Sequence, residues 1–341
     1  MKHIAAAALA AILLVLCGCT PKETSAEFYA MDTVMSVTVY GNGGGDILTE
    51  ASSLLNAMEH RLSRTLEGSE VSALNAAAGT AMTVSADTAA LLEQAGEYAR
   101  ATGGAFDISV APVVSAWGFT ADAHRIPSNE ELSELLALVD HTAVTLNGTS
   151  VSLDAGQSID LGGIAKGHAA ACLAELFDTH GVEHAIAALG GNVYARGTKP
   201  DGTPWRIGVQ DPADTAAYAG ILSLTDGFAV TSGAYQRYFE QDGNIYHHII
   251  DPADGYPADS GLASVTVVAS AADPAHGAMC DAFSTALFVM GEERAVEFWR
   301  DSGYDFDMIL ITEDGRLLAT AGLESAFQPA EGGGYAYEII R

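Results

Sequence analysis

Two short stretches more than a hundred residues apart carry the side chains best suited to chemistry: residues 160–167 read DLGGIAKG and residues 281–287 read DAFSTAL. The first sets paired glycines at the mouth of a helix with Lys166 on its first turn. Backbone N–H groups and an ammonium in that order are a known way to hold a pyrophosphate. The second carries Asp281 and Thr285 four residues apart, so a carboxylate and a hydroxyl share one helical face. Two oxygen ligands beside a phosphate cradle point to magnesium, and the carbonyl near Gly163 offers a further oxygen of the kind hard cations accept. The chemistry so implied is attack on a nucleotide pyrophosphate. A tight turn at the glycines and an ordinary helix cap at Asp281 are the plain alternatives. Neither stretch matches GxGxxG or GxxxxGK.

Residues 103–112 read GGAFDISVAP. Ala105, Phe106 and Asp107 belong to a loop expected to enter a strand, where Phe106 can pack on a planar ring and Asp107 can bond a ring or ribose. A core phenylalanine after a turn is the alternative. Small-residue loops recur at Gly190-Gly191-Asn192 and Thr231-Ser232-Gly233, and several such loops at strand ends are how a dinucleotide pocket is assembled. His248 lies in HHIIDP. In a strand His247 and His248 face opposite ways, so only one of them enters a given pocket. Near a metal-bound phosphate a histidine of pKa about 6.5 suits removal of a proton from an attacking hydroxyl; a satisfied histidine is the alternative. No HExxH and no cysteine cluster supports zinc.

The elements that must position these residues alternate without a strict βαβ rhythm, which favours one α+β domain over a doubly wound sheet. Residues 33–40 alternate as a strand, with Met35, Val37 and Val39 on one face. Ile47, Ala51, Leu54, Leu55, Met58 and Leu62 follow helical spacing over residues 46–62. A second helix is expected over 87–101, and a hairpin over 142–153 turns on Asn147-Gly148. From that hairpin a strand runs toward 160–167, and a helix over 164–180 buries Ala169, Leu173, Leu176 and Phe177 and stops at Gly181. A strand over 185–189, a hairpin around Asp242-Gly243 and a strand over 262–269 follow. A helix from Asp281, another over 292–302 and strands over 306–311 and 316–319 complete the series.

Of 341 residues, 49% are hydrophobic and 17% charged, enough for a large core and unlike a disordered chain. Only 15 Lys and Arg stand against 44 Asp and Glu, a net charge of −29 that repels nucleic acid. A polyanionic small ligand then needs local cationic help, which draws interest to Lys166. Residues 1–18 join one lysine to a brief apolar run and read as a signal peptide. The end of that run, Leu16-Cys17-Gly18-Cys19, is similar to a bacterial lipoprotein box, so lipidation at Cys19 and an extracytoplasmic, membrane-anchored protein are expected. Residues 19–27 suit a tether and 28–335 the folded domain. Cys172 and Cys280 are expected to be buried packing thiols, a single bridge being the alternative.

Taken in order, the segments resemble the ApbE family of FAD-dependent protein flavinyltransferases. The resemblance rests on MDT at Met31, SEVSALN at Ser69, GGAFDISVAP, LDAGQSIDLGGIAKG ending at Gly167, GGN at Gly190 and WRIGVQDP at Trp205. It continues through TSGAYQRYF at Thr231, HHIIDPADGYP at His247, SVTVVA at Ser264 and DAFSTALFVMG at Asp281. It implies a single ApbE-like, T-fold-related α+β domain of mixed, mainly antiparallel sheets with packed helices. It also implies that FAD is split, that FMN is esterified through its phosphate to a threonine or serine of an acceptor protein, and that AMP leaves. By matching positions, Met31, Ala105, Phe106, Asp107, Asp160, Lys166 and Ile250 would contact FAD. Gly163 through its carbonyl, with Asp281, Ser284 and Thr285, would surround Mg²⁺, Mn²⁺ being the alternative, and His248 would assist deprotonation of the acceptor hydroxyl.

Two positions depart from the family pattern. MGT is MDT here, which puts Asp32 near the flavin entrance, and Thr65 stands in the region where many relatives carry an aromatic residue. Two other activities fit the same residues: a metal-dependent FAD pyrophosphatase yielding FMN and AMP, and a lipoprotein that binds FAD without chemistry.

Overall fold

The computed structural model describes residues 21–119 and 123–341. The expected signal peptide and Cys19 lie outside the described residues. The backbone of the fold is one nine-stranded sheet whose neighbours follow chain order: β1 (Glu23–Ala30), β2 (Thr33–Tyr40), β3 (His184–Leu189), β4 (Asn192–Arg196), β5 (Gly227–Gly233), β6 (Leu262–Ser270), β7 (Asp307–Thr312), β8 (Arg316–Thr320) and β9 (Ala336–Ile340). Every neighbouring pair is antiparallel except β8 and β9. The mixed, mainly antiparallel α+β expectation holds.

The helices are α1 (Gly44–Leu62), α2 (Glu70–Ala76), α3 (Ala86–Ala101), α4 (Ala111–Trp117), α5 (Asn129–Leu136), α6 (Ala165–Thr179) and α7 (Ala275–Asp301). One face of the sheet carries α1, α6 and α7. Met35, Val37, Val39, Ala187, Val230, Val265 and Val267 point into that layer and meet Leu55, Met58, Leu173 and Phe283. The opposite face, through Ala195, Ala229, Ile309 and Leu317, meets Trp205, Leu222 and Phe327 of a three-stranded sheet formed by Trp205–Gln210, Tyr218–Leu224 and Phe327–Pro329. Strand alternation therefore splits one sheet between two cores.

The boundaries differ from expectation in several places. Residues 23–27, read as tether, form most of β1, paired from Glu23↔Tyr40 to Ala30↔Thr33. Within residues 23–27 only Ala26 is apolar, so that stretch shows little alternation in sequence even though one face of β1 packs on the core through Ala26, Phe28 and Ala30. The sheet also runs past residue 335 through β9, which pairs with β8. The segment leading into 160–167 is irregular, and the residues after Asp107 form a 3₁₀ turn (Ile108–Val110) and α4 instead of a strand. Finally, α7 begins six residues before Asp281, where the Asp273 carboxylate accepts the N–H of Ala275 at 2.9 Å. Gly291, with φ 76°, breaks the helical run just before residue 292, in line with the expectation of one helix from Asp281 and another over 292–302.

Candidate active site

Two glycines bring the distant motifs together. A β-carbon at Gly167 of α6 would collide with the carbonyl of Gly277 on α7 and lie 2.6 Å from Asp281 Cβ. With no side chain at either glycine, the two helices cross backbone against backbone. At that crossing Gly167 N–H donates to Asp281 Oδ2 at 2.8 Å. Asp281 is 3% exposed, and Asn192 Nδ2 donates to its other oxygen at 3.3 Å. The carboxylate is thus held by the first turn of α6 and by the first residue of β4.

One helical turn further along α7, Thr285 faces the glycine pair. A β-carbon on Gly163 would sit 3.5 Å from Thr285 Oγ1 and 3.3 Å from Phe106 Cε2, so this narrow position joins three of the expected segments. Ser232 Oγ lies 2.8 Å from Ser284 Oγ and 3.3 Å from Thr285 Oγ1. Ser284 is fully buried and donates to the carbonyl of Asp281 at 2.9 Å, the back-bonding usual for a serine inside a helix. Its hydroxyl is therefore engaged by protein, whereas Thr285 stays partly exposed.

The glycine turn has its own brace. Asp160 Oδ1 accepts Gly162 N–H at 2.8 Å, while Oδ2 pairs with Arg64 Nε at 2.7 Å. Arg64 also reaches Ser115 Oγ at 2.8 Å. Thr65 follows in the turn after α1, its N–H on Ser63 Oγ at 3.3 Å. Lys166 Nζ lies 3.4 Å from the Gly162 carbonyl, on the first turn of α6 as expected. Asp107 braces its own loop. Its Oδ1 caps Ser109 N–H and Oγ, and its Oδ2 accepts from the backbone of His141 at 3.2 Å and stands 3.1 Å from that ring's Nδ1. Both oxygens accept protein donors, as those of Asp281 do. Ala105 and Phe106 are buried beside it.

The two histidines separate cleanly. His247 Nε2 meets the Ala258 carbonyl at 3.2 Å and its Nδ1 accepts Ile249 N–H at 3.3 Å, so neither nitrogen is left for chemistry. His248 Nδ1 meets the Arg237 carbonyl at 3.2 Å. A carbonyl only accepts, so Nδ1 carries the proton and Nε2 the lone pair. His248 remains partly exposed, yet desolvation of the ring, followed by the Lys166 and Arg237 charges against an opposing hydrogen bond to the Arg237 carbonyl, pushes its pKa down to about 4. Arg237 in turn donates to the Asp32 carbonyl at 3.1 Å, which ties the histidine to the β1–β2 turn containing Met31. Ile250 bridges to Pro257, and its buried side chain joins Val113, Trp117 and Leu132.

The oxygen set is suited to a hard cation. It contains one anchored carboxylate, one hydroxyl and the glycine-turn backbone, and Asn192 Oδ1 is buried without a partner among the described residues. No cluster of three or more His, Cys, Asp and Glu fit to hold a metal occurs among the described residues, so a cation here would draw on neutral protein oxygens, substrate oxygens and water beside the one carboxylate. Cys172 and Cys280 are both free; burial pushes Cys172 up to about 11 and Cys280 upward as well, which makes them packing thiols. Sequence reasoning missed Arg64, and it weighed Asn192 only as part of a loop.

Residues 31–310 match the model of the ApbE family. The chain is 37% identical over 294 residues to an FAD:protein FMN transferase of Treponema pallidum, covering 81% of this chain and 80% of the relative. It is 34% identical over 272 residues to one of Vibrio cholerae, covering 78% and 80%. Among solved structures it is similar to the ApbE protein of Thermotoga maritima, with a TM-score of 0.80 and 32% identity over 87% of this chain and 96% of that one. It is similar also to the flavin transferase ApbE of Vibrio cholerae, with a TM-score of 0.80 and 29% identity over 90% and 99%.

Proposed function

Because the chain belongs to the ApbE family, we propose that it is an FAD:protein FMN transferase that esterifies FMN to a threonine or serine hydroxyl of an acceptor protein. The acceptor oxygen forms a bond to the FMN phosphorus, the bridging P–O bond of FAD breaks, and AMP leaves with the electron pair. The observation that carries this reading is the Gly167 N–H bond to Asp281 Oδ2 at 2.8 Å, which joins the two motifs and so supports a shared site for diphosphate and cation.

Each residue has a part in that transfer. Backbone N–H groups at the start of α6 and the Lys166 ammonium attract the diphosphate. Phe106 lies beside the glycine turn, where a planar ring can pack. Asp160 and Asp107, both engaged by protein donors, hold the loops that shape the pocket. His248 Nε2, unprotonated at neutral pH, takes the acceptor's hydroxyl proton. Asp281, Thr285 and the Gly163 carbonyl would hold Mg²⁺ or Mn²⁺, with Ser284 supporting from behind. When bound, the cation offsets charge on the phosphoryl oxygens. We extend the proposal to the address: lipidation at Cys19 would tether the domain outside the cytoplasm, beside membrane-bound acceptors.

The test is incubation of the protein with FAD, Mg²⁺ and a threonine-bearing acceptor, read by intact mass. An acceptor heavier by one FMN is expected. Free FMN and AMP at an undiminished rate, with the acceptor unmodified, would establish the pyrophosphatase reading instead.

A further inference from the structure

Asn192 stands at the first position of β4, 1% exposed, at the end of the Gly190-Gly191 turn. Its backbone pairs with Val230 of β5, and Gly191 just before it accepts Thr231 N–H at 2.9 Å, so the position is fixed by the sheet. Its amide nitrogen donates to Asp281 Oδ1. A carboxylate only accepts, which sets the amide orientation and turns Oδ1 away from that hydrogen bond. That oxygen is buried and has no partner among the described residues. A buried carbonyl oxygen is costly to leave unpaired, so this one calls for a donor, a water or a cation as its partner.

We propose that Asn192 is a positioning residue of the cation site: its N–H fixes the Asp281 carboxylate while its Oδ1 faces the coordination shell, as a ligand or as acceptor for a bound water. The inference rests on the cation-dependent reading of the site. Both amide atoms hang on one carbon, so Oδ1 lies within a few ångströms of the carboxylate. Hydrogen-bonded partners of metal-binding carboxylates orient them and tune affinity, and their loss typically weakens binding about 10–100-fold.

Mn²⁺ binding to the FAD-free protein, followed by EPR, tests this without turnover, with melting of the cation-free protein as a folding control. Wild type should bind Mn²⁺ and Asp281→Ala should not. Asn192→Leu, which removes donor and acceptor together, should weaken binding about tenfold or more. Asn192→Asp keeps an oxygen and adds charge while losing the donor; it should melt lower without cation yet bind Mn²⁺ more tightly than wild type. Asn192→Ala replaces the leucine variant if that one fails to fold. Opposite signs for the leucine and aspartate variants support the assignment. Wild-type affinity in Asn192→Leu, or loss of affinity in both variants, overturns it while leaving the cation site intact. No Mn²⁺ binding by wild type would overturn the cation site and this inference together.

Discussion

Gly167 and Asp281 are 114 residues apart and joined by a backbone-to-carboxylate hydrogen bond of 2.8 Å. The bond forms where α6 and α7 touch through glycine, so it couples the helix start that carries Lys166 to the helix that carries Thr285. Any change that separates those helices should act on ligand binding and on stability together.

Gly167→Ala puts a methyl group against the Gly277 carbonyl and Asp281 Cβ. Overpacking of this kind costs about 1–3 kcal/mol. Urea unfolding should show that loss, and affinity for FAD with Mg²⁺ should fall in the same variant. Unchanged stability would mean that the crossing is looser than described.

Asp281→Ala removes the only acidic oxygen ligand proposed for the cation. Turnover should drop by about 100-fold or more, equivalent to roughly 3 kcal/mol of transition-state stabilisation. Steady-state kinetics with saturating Mg²⁺ checks the figure. A variant that keeps turnover would place the chemistry elsewhere.

His248 bears on pH. Its pKa in the folded protein is pushed down to about 4, below the ordinary 6.5 of an unfolded chain. The neutral ring is favoured by folding, so its effect on stability is absent above pH 6.5 and becomes destabilising as pH falls from 6.5 toward 4. Since kcat/KM reports the free enzyme, its acid limb for FAD should lie nearer pH 4 than 6.5. His248→Ala should lower the rate and flatten that limb.

The β1–β2 turn is strained. Met31 and Asp32 have φ of 50° and 58°, and the strands pair at Ala30↔Thr33, leaving a two-residue connection. Such turns favour asparagine and glycine, which adopt positive φ at low cost. Asp32→Gly should stabilise the protein by about 1 kcal/mol in chemical denaturation. An unchanged midpoint would show that the turn costs nothing.

Much of the site was legible because its two central motifs are local and keep their residue types together. Glycines, lysine and the i, i+4 oxygen pair each announce a geometry within a few residues. Helices α1 and α6 were readable from their buried stripes, in which Ala51, Leu55, Met58, Leu173 and Phe177 are buried as expected. Arg64 was not legible, since its pairing with Asp160 spans most of a hundred residues with no local pattern. Asn192 was hidden for another reason: its unpaired oxygen exists only in three dimensions. The turn-capping part of Asp107 was not legible either, because an acid that caps a turn and an acid that binds a ligand look alike in a sequence.

The central claim is that one divalent ion and the diphosphate of FAD share the site built by α6 and α7. Phosphorus-31 NMR of protein-bound FAD with a trace of Mn²⁺ tests this most directly, because paramagnetic broadening falls off steeply with distance. Both phosphate signals should broaden strongly in wild type and only weakly in Asp281→Ala. Equal broadening in the two proteins, or none in wild type, would contradict the account.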